Sequence, residues 1–352
     1  MARERPSAIR SEAFDARVYA LSPGNAAFLR EIGAWQAMPE RRLVPVQAMR
    51  IYGDDASRLD FDAYDAGVPE LAWIVEDAAL QHALWQELEV DVLAPRQCER
   101  LAIERDRVLL RFDDQSEVSA KLVVGADGAD SFVRRQAGIA TTESDYGQSA
   151  VVANFRCEKA HANVAFQWFQ QGAVLALLPL PGAHVSMVWS LPAEEAKRIS
   201  ALEDRILCRE VEAAAQGALG ALEVVTAPRR YPLRRLAAER SVAPRVALAG
   251  DAAHVIHPLA GQGLNLGLQD ARTLAALLYS REPRRDPGEL RLLRRYERAR
   301  AEPILAMDTM VDSLFRLFGA RGRLAARLRN AGLNLTDRLP VVKNMLMRQA
   351  MS

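Results

Sequence analysis

The fold is indicated most directly by residues 250–270, which read GDAAHVIHPLAGQGLNLGLQD. The apolar run 245–249 just before them predicts a short buried strand, and apolar spacing from Leu264 to Tyr279 predicts a helix after them. Ligands of open α/β sheets bind at the carboxyl ends of the strands. Asp251 is therefore expected at a ligand site, where its carboxylate can accept hydrogen bonds from polyol hydroxyls.

The glycines of this stretch point to a close backbone approach. Gly261 and Gly263 lack side chains, so that backbone N–H groups can reach a planar or anionic ligand, while Pro258 stiffens the turn. The amides at the start of the following helix favour negative charge at the same place. A glycine-rich turn that only connects a strand to a packed helix is the structural alternative.

A second strand end runs into a helix at residues 125–134, GADGADSFVR. Asp127 follows the strand, Gly128 permits an unusual turn, and either Asp130 or Ser131 can cap the helix. Taken alone, this string is also compatible with an ordinary Asp-Gly turn.

Together, the two strings resemble those of the FAD-dependent aromatic hydroxylases of the para-hydroxybenzoate hydroxylase class. Residues 14–21 and the tail 328–351 also look like this class, and the tail favours its ubiquinone-biosynthesis branch, the octaprenyl-phenol and octaprenyl-methoxybenzoquinol hydroxylases. The resemblance implies FAD as cofactor, NAD(P)H as co-substrate, O₂, and hydroxylation of a small hydrophobic aromatic or polyprenyl-phenol substrate. It implies that FAD is bound by Arg17, Asp127, Gly128, Arg134, Gly250, Asp251, Pro258, Gly261, Gln262, Gly263, Leu264 and Asn265.

Within that set the resemblance gives each group a role. Asp251 matches the aspartate that binds the ribityl or ribose part of FAD, and Arg17 matches an arginine that contacts FAD. Pro258 and residues 261–265 match the loop and helix start that line the isoalloxazine ring. The string 125–134 matches a motif associated with both FAD and NAD(P)H.

The family's opening strand–loop–helix unit with G-x-G-x-x-G is not found when reading from Met1. We therefore expect this chain to be short by one such unit, roughly 30 residues. Two other functions stay open: a non-catalytic family member that acts as an assembly partner, and a flavin-dependent reductase. No catalytic residue is predicted, and structural roles beside the flavin are favoured for His254 and His257 over acid–base roles.

The predicted fold class is α/β (α+β): a Rossmann-like FAD-binding parallel sheet, an inserted antiparallel substrate domain and a helical C-terminus. The expected domains are residues 1–145 with 236–285 for FAD, 146–235 for substrate, and 286–352 for the C-terminal helices. Four closely spaced apolar runs predict the antiparallel strands: 151–157, 164–169, 173–178 and 185–190. The alternating aromatics Phe166 and Trp168 are expected on a core face, with a wall of the substrate pocket as the alternative.

Other elements follow from periodicity and from breaker residues. A helix is predicted to start at Ser22-Pro23 and stop at Gly33, and a second is predicted over 71–88. Strands are predicted over 107–112 and 121–125, the latter with residues 122–124 buried on both faces. After a connector at 283–287, the chain is expected to be helical to residue 350, with breaks at Pro303, Gly319 and Pro340.

Composition excludes several classes of protein. The 352 residues are 50% hydrophobic and 26% charged with net charge +1, which excludes a disordered chain and a nucleic-acid binder that relies on a global positive field. No apolar run is long enough for a membrane span, no leader is seen, and neither a disulfide framework nor a metal-ligand spacing occurs. Reduced thiols and a cytoplasmic location are expected.

Charge is nevertheless uneven along the chain. Residues 314–352 contain eight basic residues and one acidic residue, which gives this segment a net charge of +7. Such a segment predicts peripheral contact with the inner membrane or with other biosynthetic proteins. A solvated helix face is the alternative.

Overall fold

The computed structural model describes residues 13–53, 57–170, 172–257 and 262–319, excepting the side chains of 314–319. The strands are β1 Val18–Leu21, β2 Val44–Val46, β3 Ala48–Tyr52, β4 Arg58–Asp62, β5 Ala72–Glu76, β6 Cys98–Ile103, β7 Val108–Phe112, β8 Glu117–Ala120, β9 Val123–Gly125, β10 Thr141–Cys157, β11 Val164–Gln170, β12 Ala173–Leu180, β13 His184–Pro192, β14 Leu222–Ala238, β15 Val242–Ala243, β16 Val246–Leu248 and β17 His254–Val255. The helices are α1 Pro23–Glu31, α2 Ala63–Ala66, α3 Asp77–Gln86, α4 Phe132–Gln136, α5 Ala193–Ser200, α6 Asp204–Ala214, α7 Gly263–Tyr279 and α8 Leu290–Gly319. Within the described ranges, no helix is both long and apolar enough to cross a membrane.

The chain forms two compact units. The first, called the motif unit, comprises Glu89–Tyr146 and Arg234–Asp312. The second, called the sheet unit, comprises residues 13–88 and Gly147–Leu233. Each unit is described by itself below.

A small sheet of order β15-β16-β9 organises the motif unit. β16 and β9 are parallel, and β15 pairs with β16 in antiparallel register. Helices α7 and α8 pack on this sheet through an apolar cluster that includes Leu274, Leu293 and Tyr296. The Tyr296 hydroxyl also donates to the Leu248 carbonyl oxygen at 2.7 Å, which fixes α8 to the carboxyl end of β16.

The sheet unit contains a large sheet in which β10, β13, β12, β11, β3 and β4 are neighbours in that order. β3 and β11 are parallel, and each of the other pairs with a described register is antiparallel. Helices α5 and α6 cover one face, where their apolar side chains join those of Phe155, Trp168 and Met187 in one core. The prediction of a mainly antiparallel middle segment is confirmed.

Trp168 is only 1% exposed and stacks on Tyr52 at 5.4 Å between ring centroids and on Phe166 at 5.7 Å. These aromatic rings therefore lie in the core, and the alternative that they form a substrate wall is wrong.

The N-terminal helix begins as the sequence indicates. Ser22 is the N-cap of α1 and its hydroxyl accepts a hydrogen bond from the Asn25 N–H, while Pro23 occupies the first helical position. Gly33 follows the helix with a φ of 82°, in the left-handed region that glycine adopts without strain.

The single helix predicted over residues 71–88 is wrong. Residues Ala72–Glu76 form strand β5, and only Asp77–Gln86 are helical. The run Trp73-Ile74-Val75 has aromatic and β-branched side chains, and β5 pairs with β1 on one side and β2 on the other. Pairing on both edges therefore outweighs the periodicity that suggested one helix.

Two smaller expectations also fail. Val124 is 43% exposed, so β9 is not buried on both faces. Helix α8 continues through Pro303, because buried residues on both sides, Arg300 and Met307, hold the two halves against the motif unit and offset the lost hydrogen bond.

Residues 13–88 belong to the sheet unit and not to the motif unit, which contains the strings 125–134 and 250–270. The reason is that β3 pairs with β11 along Ala48–Tyr52. The start of α8 belongs to the motif unit. The assignment of FAD and substrate to particular domains stays a prediction.

Candidate functional site

Two predicted motifs meet at the carboxyl ends of the parallel strands β9 and β16. Gly125, the last residue of β9, is the register partner of Leu248, the last residue of β16. The Ala249 N–H then donates to the Gly125 carbonyl oxygen at 2.9 Å. Asp127 and Asp251 consequently follow neighbouring strands at their carboxyl ends, which is where open α/β sheets bind ligands.

The Asp127 carboxylate caps helix α4. It accepts hydrogen bonds from the Ser131 hydroxyl at 2.5 Å and from the backbone N–H groups of Phe132 at 2.7 Å and Val133 at 3.1 Å. Ser131, rather than Asp130, is the N-cap residue, and its hydroxyl accepts from the Arg134 N–H. Asp127 thus shapes the backbone that follows β9.

Arg134 ties the two motifs together. Its guanidinium is buried and donates to the carbonyl oxygens of Ala129 and Ala252, each at 2.8 Å. One carbonyl belongs to the loop after β9 and the other to the turn after β16. Gly128 lies in the first of these loops with a φ of 84°, which glycine alone adopts readily.

Gly250 makes a close contact with helix α7. Its φ of 59° is left-handed, and a Cβ added at Gly267 would lie 3.3 Å from the Gly250 Cα. Two glycines therefore let the turn after β16 lie against the helix. The next residue, Asp251, has an exposed side chain at the strand end.

Helix α7 begins beside this turn. Gln262 is its N-cap residue without a side-chain capping bond, Gly263 and Leu264 are half-buried in its first turn, and Asn265 is 1% exposed. The helix has 17 residues, so its first amides form a positive end suited to an anionic group. Pro258 and Gly261 lie outside the described residues.

Arg17 belongs to the sheet unit, where it is the residue immediately before β1. Its guanidinium lies over the Tyr231 ring at 5.3 Å, and Nη1 is 4.0 Å from an Asp77 carboxylate oxygen. The side chain remains 53% exposed and is available to a ligand.

The two histidines of the long motif occupy buried positions. His254 Nε2 lies 2.7 Å from the Asp270 carboxylate, and the His257 ring meets the edge of the Tyr146 ring at 4.7 Å. Burial lowers the pKa of His257 to about 4, so its imidazole is neutral near pH 7. Asp270 was not singled out by sequence, although it is the acidic residue on the buried, mainly apolar face of α7.

The cysteines fit the expected reduced state. Cys98, Cys157 and Cys208 are free, and burial raises the pKa of Cys157 to about 11. Over the described ranges, no group of three or more histidine, cysteine or acidic side chains is arranged to hold a metal.

Residues 25–308 match the family described as FAD binding domain. The chain belongs to this family. The ubiquinone hydroxylase UbiL of Rhodospirillum rubrum is 33% identical over 99% of this chain and 82% of that protein. The 3-demethoxyubiquinol 3-hydroxylase of Escherichia coli is 32% identical over 96% of this chain and 87% of that protein. Human COQ6, a mitochondrial ubiquinone biosynthesis monooxygenase, is 31% identical over 96% of this chain and 82% of that protein.

Solved structures agree in fold. HpxO of Klebsiella pneumoniae, in complex with FAD and uric acid, has a TM-score of 0.75 at 19% identity, covering 97% of this chain and 88% of that one. PqsL of Pseudomonas aeruginosa, in complex with 2-aminobenzoylacetate, has a TM-score of 0.75 at 24% identity over 94% and 91%. The predicted fold class, FAD as cofactor and the flavin monooxygenase family are confirmed.

The residues at the strand ends fit this cofactor. The exposed Asp251 carboxylate suits polyol hydroxyls, and the α7 N-terminus suits a negatively charged ring edge. A Cβ built on Gly263 meets no described atom within 4 Å, which leaves room for a planar group against the backbone.

Proposed function

We propose that this chain hydroxylates the aromatic ring of a polyprenyl phenol in ubiquinone biosynthesis, with FAD, NAD(P)H and O₂. The observation that carries the proposal is the exposed Asp251, which lies between two motif-bearing strand ends and the start of α7. The three curated relatives described above, each named for ubiquinone hydroxylation or biosynthesis, support the substrate class. Bound FAD would take two electrons from NAD(P)H and deliver one oxygen atom of O₂ to the ring, while the other leaves as water.

The chain's own contribution is binding and electrostatics. Asp251 would accept hydrogen bonds from the ribityl or ribose hydroxyls, and the first amides of α7 would stabilise negative charge on the ring edge. Arg17 has a half-exposed guanidinium, which would be available for the FAD contact that the resemblance implies. Asp127 and Arg134 would act indirectly, because their polar atoms already hold the backbone of the two loops.

One face of the large sheet carries small apolar side chains among polar ones. Successive side chains alternate between faces, so Val152, Val188 and Ala176 share the face opposite the one that α5 and α6 cover. Val188 and Ala176 are half-buried, as is Val174 on the same face. The serines two positions before and after Val188 lie on this face too. The face would therefore offer an aromatic substrate both apolar contact and hydrogen-bonding groups.

Membrane contact is a separate part of the proposal. A polyprenyl substrate partitions into lipid, and the basic segment 314–352 would approach anionic headgroups. All of its side chains lie outside the described residues, so this part is supported by sequence alone.

The proposed function is tested by assaying the full chain with FAD and a short-chain prenyl phenol. We expect a yellow protein that couples NAD(P)H oxidation and O₂ uptake to a hydroxylated product detected by mass spectrometry. Oxidation that yields only hydrogen peroxide with every phenol tested would favour a flavin reductase. A chain that binds no FAD would contradict both enzymatic functions and favour the assembly partner.

Gly263→Ala is expected to raise the Kd for FAD about tenfold, because the added methyl group would occupy space that a ligand needs. The thermal unfolding midpoint without FAD should not fall, since the new Cβ meets no described atom within 4 Å. Flavin fluorescence titration and circular dichroism measure the two quantities. Ala275→Ser, on the exposed face of the same helix, is the control. Unchanged FAD affinity would show that no ligand approaches Gly263.

A further inference from the structure

Asp270 is a buried carboxylate that holds three donors. One oxygen, Oδ2, accepts from the Gly250 N–H at 2.9 Å and lies 2.7 Å from His254 Nε2. The other, Oδ1, accepts from Arg300 Nε at 2.6 Å. Asp270 is 0% exposed, Arg300 5% and His254 6%. The cluster therefore joins α7, α8 and the turn after β16 within the motif unit.

The carboxylate stays charged in this position. Burial by itself would raise the pKa of Asp270, but hydrogen bonds from His254 and Arg300 and the Gly250 N–H bring it below its usual value. Arg300, on α8, also donates to the Leu266 carbonyl oxygen of α7 at 3.3 Å. This bond orients the Arg300 guanidinium and connects α8 to α7.

Of the three donors to Asp270, the Gly250 backbone N–H connects this cluster to the turn that carries Asp251. Gly250 has a left-handed φ of 59°, and its N–H points to Asp270 while the next residue presents an exposed carboxylate. The hydrogen bond therefore sets the direction in which the chain leaves β16. A small rotation at Gly250 would move the Asp251 side chain away from the start of α7.

We propose that Asp270 is a positioning residue for flavin binding: by accepting the Gly250 N–H, it orients the turn that presents Asp251. His254 and Arg300 support it by holding the carboxylate in place. The inference rests on the proposed role of Asp251 and extends the site to three buried residues beside that turn.

A purely structural ion pair is the competing explanation, and a second aspartate–arginine pair beside the same strand provides a control. Asp286 also accepts from a buried arginine, Arg245, at 3.1 Å and from a backbone N–H, that of Gly288, at 2.9 Å. Arg245 precedes β16, so this second cluster lies at the opposite end of the same strand. Asp286→Ala removes one partner of this ion pair, whose carboxylate is 40% exposed, at the amino end of the strand.

The decisive comparison uses two double variants of the full chain. Asp270→Ala/Arg300→Gln and Asp270→Asn/Arg300→Gln both remove the two buried charges, so neither leaves an unpaired ion. They differ in the acceptor, because asparagine keeps an oxygen for the Gly250 N–H and alanine does not. We expect the alanine variant to bind FAD at least tenfold more weakly than the asparagine variant.

FAD affinity is measured by quenching of flavin fluorescence, at a temperature where circular dichroism shows every variant to be folded. Asp286→Ala should stay within twofold of the wild type even where it lowers the unfolding midpoint. Equal affinity of the two double variants, or an equal loss in Asp286→Ala, would overturn the positioning role. A wild-type chain that binds no FAD would instead refute the proposed function itself, and this inference with it.

Discussion

Replacing Asp251 with alanine is expected to raise the Kd for FAD by about 100-fold, because hydrogen bonds to a charged acceptor contribute about 1.5–3 kcal/mol. The FAD-free protein should keep its thermal unfolding midpoint. In the part of the chain that the structure describes, the exposed Asp251 carboxylate accepts no hydrogen bond, and removing it breaks none of the described contacts.

Two variants sharpen this test. Asp251→Asn keeps an acceptor oxygen without the charge and should bind FAD with an intermediate affinity. Asp106→Ala removes an exposed aspartate from the turn between β6 and β7, in the same unit, and should leave affinity unchanged. If Asp251→Ala bound FAD as tightly as Asp106→Ala, the cofactor site would have to lie elsewhere.

Local signals in the sequence were sufficient to predict the two strand ends that form the candidate site. Apolar runs that end in Gly-Asp or Asp-Gly predicted two strand ends, and the parallel register of β9 with β16 brings them together. The capping serine Ser131 and the left-handed Gly250 follow from local backbone requirements, which a short window of sequence can express.

The supporting contacts could not be predicted in the same way. Arg134 donates to the carbonyl of Ala252, 118 residues further along the chain, and Arg300 binds Asp270 from another helix. No spacing rule relates such residues, since the tertiary fold alone makes them neighbours. The wrong prediction over 71–88 has the same origin, because strand pairing of Ala72–Glu76 with β1 and β2 is invisible in a local window.

Acid sensitivity of folding is expected to depend on His257. In the unfolded chain a histidine takes up a proton near pH 6.5, whereas burial lowers the pKa of His257 to about 4 in the folded protein. The folded state therefore binds fewer protons between these two values. The stability that neutral His257 contributes to the folded state is complete above about pH 6.5 and is lost as the pH falls towards 4.

The size of the effect follows from the same two values. Between pH 7.5 and 4.5, the His257 contribution to the free energy of unfolding should fall by about 2.5 kcal/mol. Urea unfolding at both pH values measures the change for the wild type and for His257→Gln, which cannot titrate. Other groups titrate in both proteins, so the difference between the two changes isolates His257.

The variant Tyr146→Phe is a control that separates the titration of His257 from the packing of its ring. The Tyr146 ring touches His257 at 4.7 Å between centroids, and Tyr146→Phe keeps that ring while leaving the imidazole in place. Tyr146→Phe should therefore lose stability with acid as the wild type does, whereas His257→Gln should lose about 2.5 kcal/mol less. Equal acid losses in all three proteins would mean that His257 takes up its proton in the folded state near the usual pH. In that case an imidazolium could form inside this part of the motif unit, and an acid–base role beside the flavin would again have to be considered for His257.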